Sequence, residues 1–467
     1  MSLACRLAFV LFTLAFTACG YDKKMSGVLA PYDAGDFKQA ANAMQPMLAE
    51  YDKAPINGVV FHLEGGTVLR AADEISGSIK SFDCAYDTVR PYLDHTAEVK
   101  VTEEVAAVLT NQTVRTYRGT TYDRILLNTF QALNYLQQGQ VDKANVELVR
   151  ALYWQQDATE RNANHIEKEQ KAFEEAGKSK GYDSGATMQD ASFRSAMQNA
   201  YGPVWDKRGS INYQITFTTY LRGIVQMARG EVSSLDQARQ SFKQVAGMLG
   251  DGANTMVLQD VAMADAATRG TMPPKMIYVL LETGRAPSRK ELRIDIPLFM
   301  QQVPYVGAAF PLLELHEGQV SGFTVEGGEQ PINASLLCDV DAVVKQEFDD
   351  KLPLVITATL VSSASKAVAT YFAQKSAGDN GWVVALGGAM YQVAMNSADL
   401  RCWSTLPKQW LLARLPRPTS GKLSVVLGDG QRLENLELPD NPISIVYLKS
   451  VRAGTKPICH VMPVPSL

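Results

Sequence analysis

Thr271-Met272-Pro273-Pro274-Lys275-Met276-Ile277-Tyr278-Val279-Leu280-Leu281-Glu282 is the stretch where this chain changes character. Ahead of it, from residue 25 to about 270, apolar residues recur at three- and four-residue steps, punctuated by Gly and Asp, which is a helical pattern. The paired prolines end the last helix, and KMIYVLLE then reads as a strand. After it, Leu292, Ile294 and Ile296 alternate with charged residues over Glu291 to Leu298, as in a half-buried strand. Gln319 to Glu326 and Ile332 to Cys338 read as strands around Gly327-Gly328. Asp339 to Gln374 returns to helix, expected to break near Pro353. Gly381 to Asn396 reads as a second helix. Strands resume over Trp410 to Leu415, Lys422 to Leu427 and Ile443 to Lys449. The expected fold class is therefore α+β and multidomain. A helical region spans 25–270, and a β-rich region spans 271–467 with helices inserted at about 339–396.

The N-terminus points to an address. Arg6 precedes an apolar run from Leu7 to Phe16, followed by Thr17, Ala18 and Cys19. The run is shorter than the roughly 20 residues that span a bilayer, and it fits the core of a signal peptide. Phe16-Thr17-Ala18-Cys19 resembles a lipobox, in which small residues precede the cysteine that takes the lipid. The expectation is a signal peptide over 1–18, lipidation at Cys19 and a tether over 19–24. By the same resemblance Gly20 favours the outer membrane, so the body is expected in the cell envelope, facing the periplasm. No later segment reads as a membrane span.

The 467 residues carry 45 basic and 49 acidic side chains, a formal net charge of −4, and 46% are hydrophobic. That balance argues against nucleic acid as a partner and leaves ample material for a core. Removing Cys5 with the signal and Cys19 with the lipid leaves Cys84, Cys338, Cys402 and Cys459, for which three pairings, or none, stay open.

Within the helical region, Gly35-Asp36-Phe37-Lys38-Gln39-Ala40 and Gly139-Gln140-Val141-Asp142-Lys143-Ala144 resemble the turn of a tetratricopeptide repeat. Gly77-Ser78-Ile79 and Gly230 are weaker cases, and the spacings hold no fixed period. Arg161 to Lys180 is rich in Glu, Lys, Gln and Asn and reads either as a solvated helix or as a projecting docking arm.

Three further segments occur in order along the chain. They are Gly119-Thr120-Thr121-Tyr122-Asp123 running on to Leu136, Leu280 to Pro287, and Ala398-Asp399-Leu400-Arg401-Cys402-Trp403 with Leu406-Pro407. Together they resemble an uncharacterised family of bacterial lipoproteins with tetratricopeptide-like N-terminal halves. The resemblance covers nearly the whole chain after the signal. It implies a cell-envelope setting, with genes often encoded near those of other outer-membrane lipoproteins, including ones similar to curli-secretion and peptidoglycan-synthase-activator proteins, and it brings no catalytic residues.

Signatures of chemistry are missing. His62, His95, His165, His316 and His460 form no H-x-x-x-H or H-E-x-x-H pair, and there is no C-x-x-C. No G-x-S-x-G and no phosphate-binding Gly-rich loop appears. Adjacent acids such as Glu103-Glu104, Glu174-Glu175 and Asp349-Asp350 point apart on a helix. No enzyme, cofactor or metal is expected. Tyr122, Asp123, Asn128 and Asn134 are candidate partner-binding residues on a helix of the repeat region. Asp399, Arg401 and Trp403 form the most distinctive polar cluster. They read either as a binding surface or as an internal lock in which Arg401 pairs with an acid and stacks on an aromatic ring. The functional expectation is a non-enzymatic scaffold or assembly factor that captures envelope proteins, with self-association open. Accessory roles in exporting a surface polymer or fibre, or in binding or hydrolysing glycan or peptidoglycan, are the alternatives.

Overall fold

The computed structural model describes residues 20–52, 56–93, 105, 115–205, 214–250, 254–300, 303, 305–376 and 397–465. Cys19, the signal segment, His95, Glu103-Glu104 and the expected helix over 381–396 lie outside them. The helical region consists of α1 Gly20–Asp33, α2 Phe37–Tyr51, α3 Gly58–Ala71, α4 Ile75–Leu93, α5 Thr121–Gln137 and α6 Val141–Ser179. It continues with α7 Ser184–Gln189, α8 Ala191–Trp205, α9 Thr216–Arg229, α10 Val232–Leu249 and α11 Thr255–Thr268.

Consecutive helices pack as hairpins. Gly35, Gly139 and Gly230 sit between paired helices with φ of +78°, +73° and +74°, a left-handed conformation that costs glycine nothing. Gly77 does not make the expected turn. It lies inside α4, and the α3–α4 turn is made by Asp73 at φ +65°. Asp tolerates that region because its short side chain bonds locally. Two glycines set how closely helices approach. A Cβ on Gly66 would fall 2.3 Å from the Phe82 ring, and one on Gly223 would fall 2.5 Å from Phe242.

The strands begin at β1 Met276–Thr283 and continue with β2 Ser288–Pro297, β3 Tyr305–Glu314, β4 Phe323–Glu326, β5 Ile332–Asn333 and β6 Ser335–Asp339. Helix α12 Val340–Ser376 follows, then β7 Gln409–Pro416, β8 Lys422–Leu427, β9 Arg432–Glu437, β10 Ile443–Ser450 and β11 Ile458–Val464. A five-stranded sheet has the order β11-β10-β1-β7-β6, and β1 pairs in parallel with β10. A four-stranded sheet, β5-β4-β8-β9, lies against it, and β2 and β3 form a separate ribbon.

Every residue of β1 is buried, because both faces of the larger sheet are covered. Ile277, Val279 and Leu281 pack with Val325, Val425 and Leu427 of the smaller sheet. Met276, Tyr278 and Leu280 face the other way, into the core of the helices. Trp410 of β7 stacks on Phe217 of α9 at 4.3 Å between ring centroids. One continuous core thus runs from Met25 to Val464, so the helices and the sheet are joined by packing rather than only by the chain.

Two expectations change. Pro353 does not break its helix. α12 runs through it, with Leu352, Leu354 and Ala358 buried against neighbours; that packing offsets the one backbone hydrogen bond proline removes. By length and composition α12 could cross a membrane, although the sequence reading finds no such span, and 67% of its most apolar window is buried inside the protein. The polar stretch Arg161 to Lys180 does not stand free either. It is the far half of α6, a helix roughly 58 Å long, and Phe173 and Ala176 pack against Leu354 and Ala358.

At the joint between β1 and β2, His316 Nε2 lies 2.9 Å from Ser288 Oγ. Burial, aided by the Arg285 charge, pushes its pKa down to about 4. The folded state therefore prefers the neutral ring. That contribution is complete above the unfolded pKa of about 6.5 and is lost as the pH falls through 4. Because His316 is partly exposed, we expect a loss of roughly 1–2 kcal/mol between pH 7 and pH 4. The drop should be missing from His316→Gln, so the stability difference between wild type and variant in urea denaturation should change by that amount between the two pH values. Parallel curves for the two proteins would contradict it.

Candidate functional site

Of the residues singled out from the sequence, Tyr122, Asp399 and Arg401 come together at one cavity, while Asp123, Asn128, Asn134 and Trp403 are buried elsewhere among the helices. Asp123 closes a capping box on α5, accepting from Thr120 N at 2.7 Å and from the Tyr117 hydroxyl at 2.5 Å. Asn128 donates to Glu147 of α6 at 2.7 Å. Asn134 donates to Ser78 of α4 at 2.8 Å and accepts from Arg70 of α3 at the same distance. Trp403 Nε1 donates to Thr67 of α3 at 3.2 Å. All four residues are buried, and their hydrogen bonds tie helices together. Helix polar residues look alike in sequence whether they face water or another helix.

Arg401 makes the internal lock. Its Nε and Nη2 grip the Asp399 carboxylate at 2.8 and 2.7 Å. Nη1 donates to Ile56 O, Asn57 Oδ1 and Arg115 O at 3.2, 3.0 and 2.8 Å. The guanidinium lies over the Tyr117 ring at 5.6 Å. The lock closes one wall of a cavity of about 600 Å³, which Tyr122, Asp399 and Arg401 line together. The other walls come from α6, the β2–β3 ribbon and α12.

The charge on these walls is unlike that of the chain as a whole. Arg115, Arg118, Arg124, Lys168, Arg289, Lys351 and Arg401 line the cavity, against Asp157, Glu169, Glu347 and Asp399. That is seven cations to four acids, in a protein of net charge −4. The acids are already engaged. Glu347 accepts from Thr121 N at 2.8 Å and Lys351 at 2.6 Å. Burial pushes its carboxyl up, but Lys351 and the α5 N-terminal amides bring it below the usual range, as expected for an anion at a helix start. Glu169 pairs with Arg115 at 2.7 Å.

Arg289 is different. Its side chain, carried on β2, makes no hydrogen bond or ion pair among the described residues, yet it lines the cavity. Burial works against its charge, but Tyr122, Cys402, Tyr117 and Asp399 around it raise its pKa above the ordinary guanidinium value. Trp154, buried in the α6 wall, has an indole N–H without a partner, while Arg124 covers its ring at 5.2 Å. Both free groups are donors only. Tyr117, Phe173 and Phe348 supply apolar surface.

The sequence reading missed Arg289, Glu347 and Trp154. Arg289 sits in a run of surface-like charges, Ser288 to Asp295, and only the fold turns it inward. Cys84, Cys338, Cys402 and Cys459 are free thiols. Burial pushes Cys402 up to about 12 and Cys338 to about 11, which keeps both protonated.

No family model matches the chain, and no curated protein sequence matches it. Among solved structures, a tetratricopeptide repeat protein from Parabacteroides merdae is similar at 12% identity over 52% of this chain and 98% of its own. Its TM-score of 0.14 carries no argument, so the helical hairpins stand on the geometry above.

Proposed function

We propose that this is a non-catalytic binding protein of the bacterial cell envelope, held by lipid on Cys19, and that its working part is the cavity between α6, α12 and the β2–β3 ribbon. The ligand this geometry fits is anionic and rich in acceptors, with an apolar body. A carboxylate-bearing glycan or peptidoglycan fragment has that chemistry. The observation that carries the reading is the unpartnered Arg289 guanidinium on a wall where cations outnumber acids. Asp399 attracts it, but both oxygens of that carboxylate are held by Arg401, so the partly desolvated guanidinium has no acceptor of its own among the described residues. A charge-assisted hydrogen bond is worth roughly 1.5–3 kcal/mol.

The test is calorimetric titration with carboxylate-bearing muropeptides and oligouronates, following Trp154 fluorescence in parallel. Saturable binding is expected, weakened about 10- to 100-fold by Arg289→Gln. Thermal stability should change little, because Arg289 makes no hydrogen bond or ion pair among the described residues and would lose only its longer-range attraction to Asp399. Equal affinity in the variant, or saturation by no member of the panel, would remove the support for this reading.

A protein partner remains part of the proposal through a different face. Val146 and Tyr153 lie seven residues apart on α6, and both are exposed. That spacing puts them on one side of the helix. In-cell cross-linking through these positions would name an envelope partner.

A further inference from the structure

Away from the cavity, the first two helical hairpins bring together three side chains of ligand type. Asp52 follows the end of α2, His62 lies on α3 and Cys84 on α4. One carboxylate oxygen of Asp52, one ring nitrogen of His62 and the Cys84 sulfur all lie within 4.8 Å of one another.

The surroundings fix the state of His62. The Ser81 hydroxyl donates to His62 O at 2.8 Å, which leaves its oxygen lone pair facing His62 Nδ1 at 3.3 Å. That oxygen can accept only, so the ring proton sits on Nδ1 and Nε2 presents a bare lone pair. Nε2 is buried and has no hydrogen-bond partner. His62 itself is 6% exposed. A buried acceptor left alone in this way calls for an explanation, and an ion is one of the few available. A backbone or hydroxyl group that holds the far nitrogen is also how proteins orient a metal-binding imidazole.

We propose that Asp52, His62 and Cys84 form a zinc site, with the fourth position open to water. Nitrogen and thiolate sulfur select a borderline-soft cation over calcium or magnesium. Zinc bonds of about 2.0–2.3 Å place tetrahedral ligand atoms about 3.3–3.8 Å apart. The exposed Asp52 supplies the small closure needed. On binding, the Cys84 S–H bond breaks, the Zn–S bond forms and one proton goes to solvent. The thiolate and the Asp52 carboxylate then balance the two positive charges, and the imidazole stays neutral. Without the ion the thiol stays protonated, because burial and the nearby Asp52 charge disfavour the thiolate. A Cys–His nucleophile therefore fits this cluster less well than a metal.

The site has a structural consequence. Ile56 and Asn57, whose oxygens hold Arg401, lie four and five residues after Asp52 along the chain. Zinc at Asp52 would anchor that segment from its other end. The inference uses none of the cavity's charged residues and stands whether or not the cavity binds an anion.

The experiment takes the full chain, stripped with chelator, and titrates it with cobalt(II) by absorption and with zinc by calorimetry. One equivalent of cobalt should bind with a near-ultraviolet sulfur-to-metal band, and zinc should displace it. About one proton should be released per zinc, read by repeating the titration in buffers of different ionisation enthalpy. Cys84→Ser should lose the band and weaken zinc at least tenfold. Asp52→Asn, at an exposed position, should keep the band and weaken zinc about tenfold. Absence of stoichiometric binding, or an unchanged band in Cys84→Ser, would overturn the assignment.

Discussion

Glu64→Ala is expected to remove about 3–5 kcal/mol of stability, because several buried donors lose their acceptor at roughly 1–3 kcal/mol each. Glu64 is fully buried on α3. Its Oε1 accepts from Ser404 N and Ser404 Oγ, each at 2.6 Å, and from Tyr21 OH at 2.8 Å. Its Oε2 accepts from Thr405 N at 3.1 Å and Thr405 Oγ1 at 2.5 Å. Burial raises the carboxyl pKa, and these donors oppose that. Removing the carboxylate leaves several buried donors unmatched and opens a void besides. Glu64→Gln is the sharper probe. Its amide nitrogen would meet the Thr405 donors, so we expect a loss of roughly 1–3 kcal/mol although volume is kept. Urea and thermal denaturation followed by circular dichroism would measure both. A Glu64→Ala protein as stable as wild type would show that the 403–406 segment is held by apolar packing alone.

Arg401→Ala should cost a similar amount, about 3–5 kcal/mol, and Arg401→Lys should recover little of it. Lysine is a point charge and cannot hold a carboxylate with two nitrogens while reaching two carbonyls and an asparagine on its far side. The contrast is Arg432, which pairs with Glu326 at 2.7 Å where both side chains are over 40% exposed. Arg432→Ala should change stability by less than about 1 kcal/mol. Limited proteolysis near residues 56 and 115 should speed up in both Arg401 variants and not in Arg432→Ala. Equal effects at the two arginines would mean that desolvation around Arg401 is less complete than its 5% side-chain exposure indicates.

The sequence made the order of elements legible where periodicity and punctuation agree. The change at Pro273-Pro274, strands β1, β7, β8 and β10, and the turns at Gly35, Gly139 and Gly230 all follow from local rules. Strand β3 was not legible, because Tyr305 to Glu314 has neither clean alternation nor turn residues at both ends. β11 was hidden by Pro463 near its end, and β9 carries charge at three of its six positions. The Asp399–Arg401 contact could be read as one of two alternatives, since oppositely charged neighbours form pairs under almost any fold. The cavity was not legible at all. Its walls come from six separated stretches of chain, and nothing local distinguishes Arg289, which faces inward, from Arg293, which reaches Glu291 at the surface.

The parallel pairing of β1 with β10 bears on when this protein can fold. Met276 is registered on Ile443 and Thr283 on Ser450, and β11 completes the sheet edge only at residue 464. The helices therefore meet a finished apolar floor only after almost the whole chain has emerged. Pairings of such long range are slow to form, because the intervening loop must close before any contact repays it. Until then Phe217, Tyr220 and Phe130 have no Trp410 or Tyr278 to cover them. A chain with this topology leaves apolar surface uncovered while it folds. A truncation that spares every helix but removes β10 and β11 would cut the larger sheet to β1, β7 and β6 and turn the buried β1 into an open edge.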